Sequence, residues 1–128
     1  MIKGIGVDSV SIPRFIKKNF SSHIIQRMFH PSEVKQIHTL EGESRFSFMA
    51  SRFAAKEAFV KALGEGFRAI APSHIAVVVD ELGKPTLQLD EKDRMRLHLE
   101  NVRIHLSLTH EDPTAIAFVV LEETCGTH

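Results

Sequence analysis

Two carboxylates and one ammonium stand out in this sequence, because each sits where a solvated charge is out of place. Asp8 closes the run Gly4-Ile5-Gly6-Val7-Asp8, in which β-branched and small residues alternate as in a strand. Glu57 and Lys61 lie in Arg52-Phe53-Ala54-Ala55-Lys56-Glu57-Ala58-Phe59-Val60-Lys61-Ala62-Leu63-Gly64, whose Ala, Lys, Glu and Leu content predicts a helix. At about 100° per residue Glu57 and Lys61 share one face, with Ala50, Phe53, Ala54 and Gly64 close to it. A buried carboxylate is costly unless a cation or hydrogen bonds compensate it. A strand-end acid and a helix acid can share a hard cation such as Mg²⁺. That ion takes one or two carboxylates, keeps waters and fills its other positions with substrate phosphates. A nearby lysine adds a point charge for phosphate. The trio fits a Mg²⁺-pyrophosphate site better than a glycosidase acid pair. Two separate ion pairs are the alternative, because nothing in the spacing brings Asp8 to Glu57. Glu57 and Lys61 alone are also a common i, i+4 helix pair, worth a few tenths of a kcal/mol.

The elements that must position these groups read as follows. Residues 2–8 form a strand whose glycines leave one side bare, as when another backbone or a ligand comes close. Pro13 sits in a first-turn position, and Ile12, Phe15, Ile16 and Phe20 carry a helical spacing. Ser21-Ser22 either caps a second short turn or loosens the first. Ser32 is an N-cap candidate ahead of Glu33, whose charge suits a positive helix terminus. A long helix runs from about Ser44 to Leu63 and ends at Gly64 and Gly66 in a left-handed conformation. A strand follows around His74 to Asp80, then a Gly83-Lys84-Pro85 turn and a strand from Thr86 to Leu89. Residues 91–100 read as helix, and 102–109 and 114–121 as two final strands. The expected class is α+β, with helices early, an antiparallel sheet late, and the long helix packed on that sheet.

Length predicts one domain over residues 1–128, large enough to bury a core without staples. Sixteen basic residues balance sixteen acidic ones. That balance, with no Trp or Tyr and no aromatic-basic interleaving, argues against a nucleic-acid-binding accessory protein. The single cysteine, Cys125, allows no internal disulfide and suits a reducing compartment. No apolar run predicts a signal peptide or membrane span, so a cytoplasmic protein is expected. The eight histidines lack the spacing of a zinc site. Charge is uneven: residues 11–40 hold Arg14, Lys17, Lys18, Arg27 and Lys35 against Glu33 alone. Arg14, Lys17 and Lys18 at i, i+3 and i+4 can face one acidic partner, or simply form a solvated face.

The Gly4–Asp8 strand, the RFAAKEAFVKALG run and the Ser107-Leu108-Thr109-His110 segment resemble the holo-[acyl-carrier-protein] synthase family of 4′-phosphopantetheinyl transferases. The resemblance runs from Ile2 to about Leu121. It implies the small α+β fold of that family and transfer of 4′-phosphopantetheine from coenzyme A to a serine of apo-acyl carrier protein. Adenosine 3′,5′-bisphosphate would leave, and the setting would be fatty acid biosynthesis. By the same resemblance Asp8 and Glu57 bind Mg²⁺ and Lys61 contacts phosphate. Glu57 takes the serine proton directly, or through a metal-bound water oriented with Asp8. His110 corresponds to a residue at the coenzyme A site. Arg52 pairs with phosphate or with a carboxylate of another subunit, and Gly64 either brings backbone amides to the ligand or only ends the helix. Arg14 corresponds to a basic residue common in the family, with Lys17 and Lys18 added from helical geometry as carrier contacts. Short members are homotrimers with sites at subunit interfaces.

The sequence departs from the family at Ser9 and Val10, at His30 where Thr is usual, at Thr109 and at Thr114. A binding module that keeps coenzyme A affinity without catalysis is the competing reading. The intact Asp8, Glu57 and Lys61 argue against it.

Overall fold

The computed structural model describes residues 1–124; Cys125 lies outside the described residues. The chain opens with β1 (Ile2–Ser11) and passes into α1 (Ile12–Ile16), α2 (Ser22–Met28), α3 (Pro31–Thr39) and α4 (Gly42–Leu63). A hairpin of β2 (Ala76–Val79) and β3 (Pro85–Gln88) follows. Then come α5 (Glu91–Arg96), β4 (Val102–Glu111) and β5 (Thr114–Glu123). The expected α+β class is the observed one, but the sheet is not confined to the C-terminal part. β1 pairs antiparallel with β5, which pairs antiparallel with β4, so the N-terminal strand is an edge of the main sheet.

α4 lies across the inner face of that sheet. Most of its second half is buried, with Ala54, Ala55, Lys56, Ala58 and Phe59 showing no exposed surface, and Glu57 and Lys61 mark the side left open. A helix with so wide an apolar surface is one sunk deep into a core. The bare side of β1 is what lets it sink. A β-carbon at Gly4 would overlap the carbonyl oxygen of Ala62, and one at Gly6 the carbonyl oxygen of Ala58. The strand glycines are therefore the seat of α4, as their spacing suggested. Gly64, at φ 86°, ends α4 in the left-handed conformation expected of it.

Several boundaries move, each for a local reason. The helix after Pro13 stops at Ile16, because Ser21 starts a new one by accepting a hydrogen bond from the Ile24 N–H. Phe20 still joins the cluster, with its ring 4.7 Å from that of Phe15. The N-cap of α3 is His30 rather than Ser32. The imidazole Nδ1 accepts from the Ser32 N–H, and the Glu33 carboxylate accepts from the His30 N–H, which makes a capping box with imidazole in place of a hydroxyl. The segment expected to begin a strand at His74 first makes a 3-10 turn, Pro72–His74. α5 ends at Arg96, four residues early.

Candidate active site

β1 and α4 together build the site. Inner-face alternation along β1 carries Gly4, Gly6, Asp8 and Val10, so the strand that seats α4 on its glycines presents Asp8 two residues further on. Lys61 reaches down from α4. Its Nζ donates to Asp8 Oδ1 at 2.9 Å and to the Val7 carbonyl at 3.1 Å. It makes no ion pair with Glu57, so the simple i, i+4 helix pair is not what forms. The hydrogen bond to Asp8 and the charge of Asp8 hold the Lys61 ammonium above its ordinary range.

Glu57 faces the same acid. Burial pushes its carboxyl above the usual carboxylate range, and the charge of Asp8 pushes it further. Lys61 and Lys18 pull in the opposite direction. Two carboxyls sharing one site cannot both ionise easily unless a cation joins them. Asp8 supplies a second sign of that: its Oδ2 is buried and has no hydrogen-bond partner. An orphaned acceptor beside a crowded carboxylate fits a divalent cation. Among the described residues no third His, Cys, Asp or Glu completes an all-protein cage. A divalent cation such as Mg²⁺ commonly takes only one or two carboxylates and keeps waters in its other positions.

The other expected site residues are distributed. Gly64 caps α4 one turn beyond Lys61, with open space around it. Arg52 points elsewhere. Its guanidinium stacks over Phe48 at 4.1 Å and donates to Ser51 Oγ at 3.1 Å, while its buried Nε has no partner. His110 is exposed near the end of β4, two strands from β1. The structure does not join Arg52 or His110 to the Asp8–Glu57–Lys61 cluster within one chain. Arg14 is exposed on α1, Lys17 is its C-cap, and Lys18 lies past the end of the helix. The helical geometry expected for that trio therefore does not extend to Lys18.

Lys56, beside Glu57 in sequence, was not singled out by its spacing. It is wholly buried and paired to the equally buried Glu33. Its Nζ also donates to the carbonyls of Met28 (3.3 Å) and Pro72 (3.0 Å). Glu33 accepts from the backbone N–H groups of His30 and Val77, both at 2.9 Å. The pair thus ties α2, α3, the 72–74 turn and β2 to α4. The capping-box spacing His30-x-x-Glu33 was the available signal, but it says nothing of burial.

Residues 4–119 match the 4′-phosphopantetheinyl transferase superfamily. The chain belongs to it. This transferase chain is 38% identical to a holo-[acyl-carrier-protein] synthase of Clostridium tetani, an alignment covering 98% of this chain and 99% of that one. A crystal structure of the Neisseria meningitidis holo-[acyl-carrier-protein] synthase superposes with a TM-score of 0.86 at 37% identity, covering 96% of this chain and 100% of the other. The Bacillus anthracis synthase, solved in complex with coenzyme A (3′,5′-ADP), superposes with a TM-score of 0.83 at 34% identity, covering 97% and 99%. Among the described residues of the transferase no helix is long and apolar enough to cross a membrane.

Proposed function

We propose that this chain is a holo-[acyl-carrier-protein] synthase. It transfers 4′-phosphopantetheine from coenzyme A to a serine of apo-acyl carrier protein and releases adenosine 3′,5′-bisphosphate, a step of fatty acid biosynthesis. The observation that carries this reading is the cluster of Asp8, Glu57 and Lys61 on β1 and α4, in a chain that matches the superfamily over residues 4–119. We read the whole of residues 1–128 as one transferase unit acting in the cytoplasm.

In this reading Asp8 and Glu57 hold Mg²⁺. When bound, the ion neutralises charge on the pyrophosphate oxygens as the phosphoryl group transfers. Lys61 adds its ammonium on the same side, a preorganised charge aimed at the bond that breaks. Glu57 accepts the serine proton as the hydroxyl oxygen attacks the β-phosphorus, directly or through a water oriented with Asp8. The P–O bond to the bridging oxygen breaks, and that oxygen leaves on adenosine 3′,5′-bisphosphate. Gly64 lets the ligand approach the backbone at the end of α4. Arg14, Lys17 and Lys18 receive the acidic carrier.

Arg52 and His110 belong to coenzyme A binding only if a second subunit brings them to it. A homotrimer with sites at its interfaces meets that need. The outer face of the sheet supports this arrangement, with Ile5, Val7, Ile116 and Phe118 exposed together at 62%, 54%, 39% and 44%.

The test is mass spectrometry of apo-acyl carrier protein incubated with the chain, coenzyme A and Mg²⁺. A phosphopantetheine mass gain, lost on chelation and restored by added Mg²⁺, is expected. Coenzyme A binding without a mass gain would favour the binding-module reading instead.

A further inference from the structure

The start of α3 depends on a ring nitrogen. The Ser32 N–H reaches His30 Nδ1 at 3.1 Å, and the Ser32 hydroxyl lies 2.9 Å from the same atom. A backbone N–H can only donate, so Nδ1 must offer a lone pair and the ring carries its proton on Nε2. The usual N-caps are hydroxyls, amides and carboxylates, which still accept a hydrogen bond when the solution turns mildly acidic. Imidazole does not. It titrates at about pH 6.5, and the protonated ring donates from both nitrogens. A proton at Nδ1 sets donor against donor at the Ser32 N–H. It also places a positive charge at the positive end of α3.

The charges around the ring are already engaged. Glu33 accepts from the His30 N–H at 2.9 Å, but its carboxylate is paired with Lys56 of α4. His30 lines a cavity of about 550 Å³, whose other titratable groups are His74 of the 72–74 turn and Asp90 at the start of α5. His74 is paired with Asp93, and Asp90 accepts from the Asp93 N–H. β2 lines the cavity with Ala76 and Val78, which carry no charge. Arg27, in the last turn of α2, lines a different cavity. The cap also holds more than one helix. Phe29 closes α2 and His30 opens α3, with no residue between them. The bond from the His30 N–H to Glu33 is the other half of the capping box, and Glu33 joins α3 to α4 and, through the Val77 N–H, to β2.

We infer that His30 is an acid-sensitive latch at the corner of α2 and α3: its neutral ring fastens the first turn of α3, and its protonated ring releases that turn from Glu33. The latch is independent of the reaction that the chain catalyses, and it stands whether or not the chain transfers phosphopantetheine. The cap exists only in the folded chain, and only while Nδ1 is bare. Its contribution is therefore whole above the ordinary imidazole range of about pH 6.5 and is lost as pH falls through it. Release is local, because the apolar contacts of Ile25, Phe29 and Ile37 do not titrate. Acid thus opens one corner of the molecule ahead of the rest.

The experiment compares the full chain with His30→Asn, whose amide oxygen accepts on both sides of the imidazole range, and His30→Ala, which has no cap at any pH. Urea unfolding is measured at about pH 7.5 and at about pH 5.5, either side of the ordinary imidazole value. At the higher pH the wild type should match His30→Asn, and His30→Ala should have a folding constant about fivefold lower, the usual size of a lost N-cap. At the lower pH the wild type should fall to the level of His30→Ala or below it, while the ratio between the two variants stays as it was. His74 and every other titrating group are common to the chains compared and drop out of these ratios. A ratio of wild type to His30→Asn that does not change with pH, or that rises in acid, overturns the latch. So does a His30→Ala chain that matches His30→Asn at the higher pH. Should either variant fail to fold, nuclear magnetic resonance of the wild type decides. The Ser32 amide proton should shift in the same step as the His30 ring, with exchange protection of residues 32–34 falling alongside. A ring that titrates while the Ser32 amide stays fixed removes the latch as well.

Discussion

α4 carries two lysines five residues apart, and each meets a carboxylate. Lys56 is sealed with Glu33, and every remaining polar atom of the pair has backbone partners. Lys61 is half-exposed, and the acid it meets keeps one buried oxygen without a partner while a second carboxyl crowds in. The same residue types therefore make a completed contact on one side of the helix and an incomplete one on the other. Completeness marks structure, because nothing is left over to bind. Incompleteness marks the site, because the unmet demand is for a cation.

The largest expected effect comes from spoiling the completed pair. Lys56→Met leaves Glu33 charged and buried, and Glu33→Gln leaves Lys56 so; each should cost about 3–5 kcal/mol in chemical denaturation. Replacing both by apolar residues should recover only part of this, because the Val77 and His30 N–H groups lose their acceptor. A loss under about 1 kcal/mol for either single change would erase the contrast between the two lysines.

Glu57→Gln should act in the opposite sense. Transfer should fall at least about a hundredfold, as when a group that stabilises the transition state is removed. The metal-free fold should become more stable near neutral pH. A carboxyl raised in the folded state stabilises the fold while protonated, and that contribution is lost as pH rises through its folded range. The variant never ionises, so it keeps what the wild type loses. The gain should be a small rise in melting temperature, because a partly exposed carboxyl is screened by solvent. It should vanish as pH falls toward the ordinary carboxylate value of about 4.3, where both chains are neutral at this position. Equal melting curves at pH 7.5 would show that Asp8 and Glu57 do not share a strained site.

Lys61→Ala sharpens the comparison further. Its ion pair is half-exposed, so stability should change by no more than about 1 kcal/mol. Transfer should fall about tenfold or more in kcat/KM. Unchanged turnover with a lowered melting temperature would return Lys61 to the role of a helix-pair residue.

The smallest effect concerns Asp93. Burial raises its carboxyl, but the hydrogen bonds from Arg96 and His74 and their charges outweigh this and leave it below the usual range. Its contribution is present above about pH 4 and is lost as pH falls through its lowered range. Asp93→Asn should therefore differ from wild type at pH 7 and converge with it in acid.

Much of the site was legible because it follows from periodicity. Alternation placed Gly4, Gly6 and Asp8 on one face of β1, and the 3.6-residue repeat placed Glu57 and Lys61 on one face of α4. What brings those faces together is tertiary, and only the bare glycines hinted at it. The end of α1 was misjudged because Ser21 begins a new helix just past Phe20, leaving residues 17–20 as the turn between the two. Burial of Lys56 could not be read from spacing. Lysine is a good helix former wherever it sits, and its partner Glu33 comes from another helix.

The close approach at Gly4 and Gly6 gives the site an inherited length scale. The span between Asp8 and Glu57 is set by how near a helix carbonyl can come to a strand carrying no β-carbon. Two missing atoms therefore serve as the gauge for a pair of ligands. A methyl group at position 6 would lift α4 as a rigid rod and spread the carboxylates, altering the function without touching a single functional side chain.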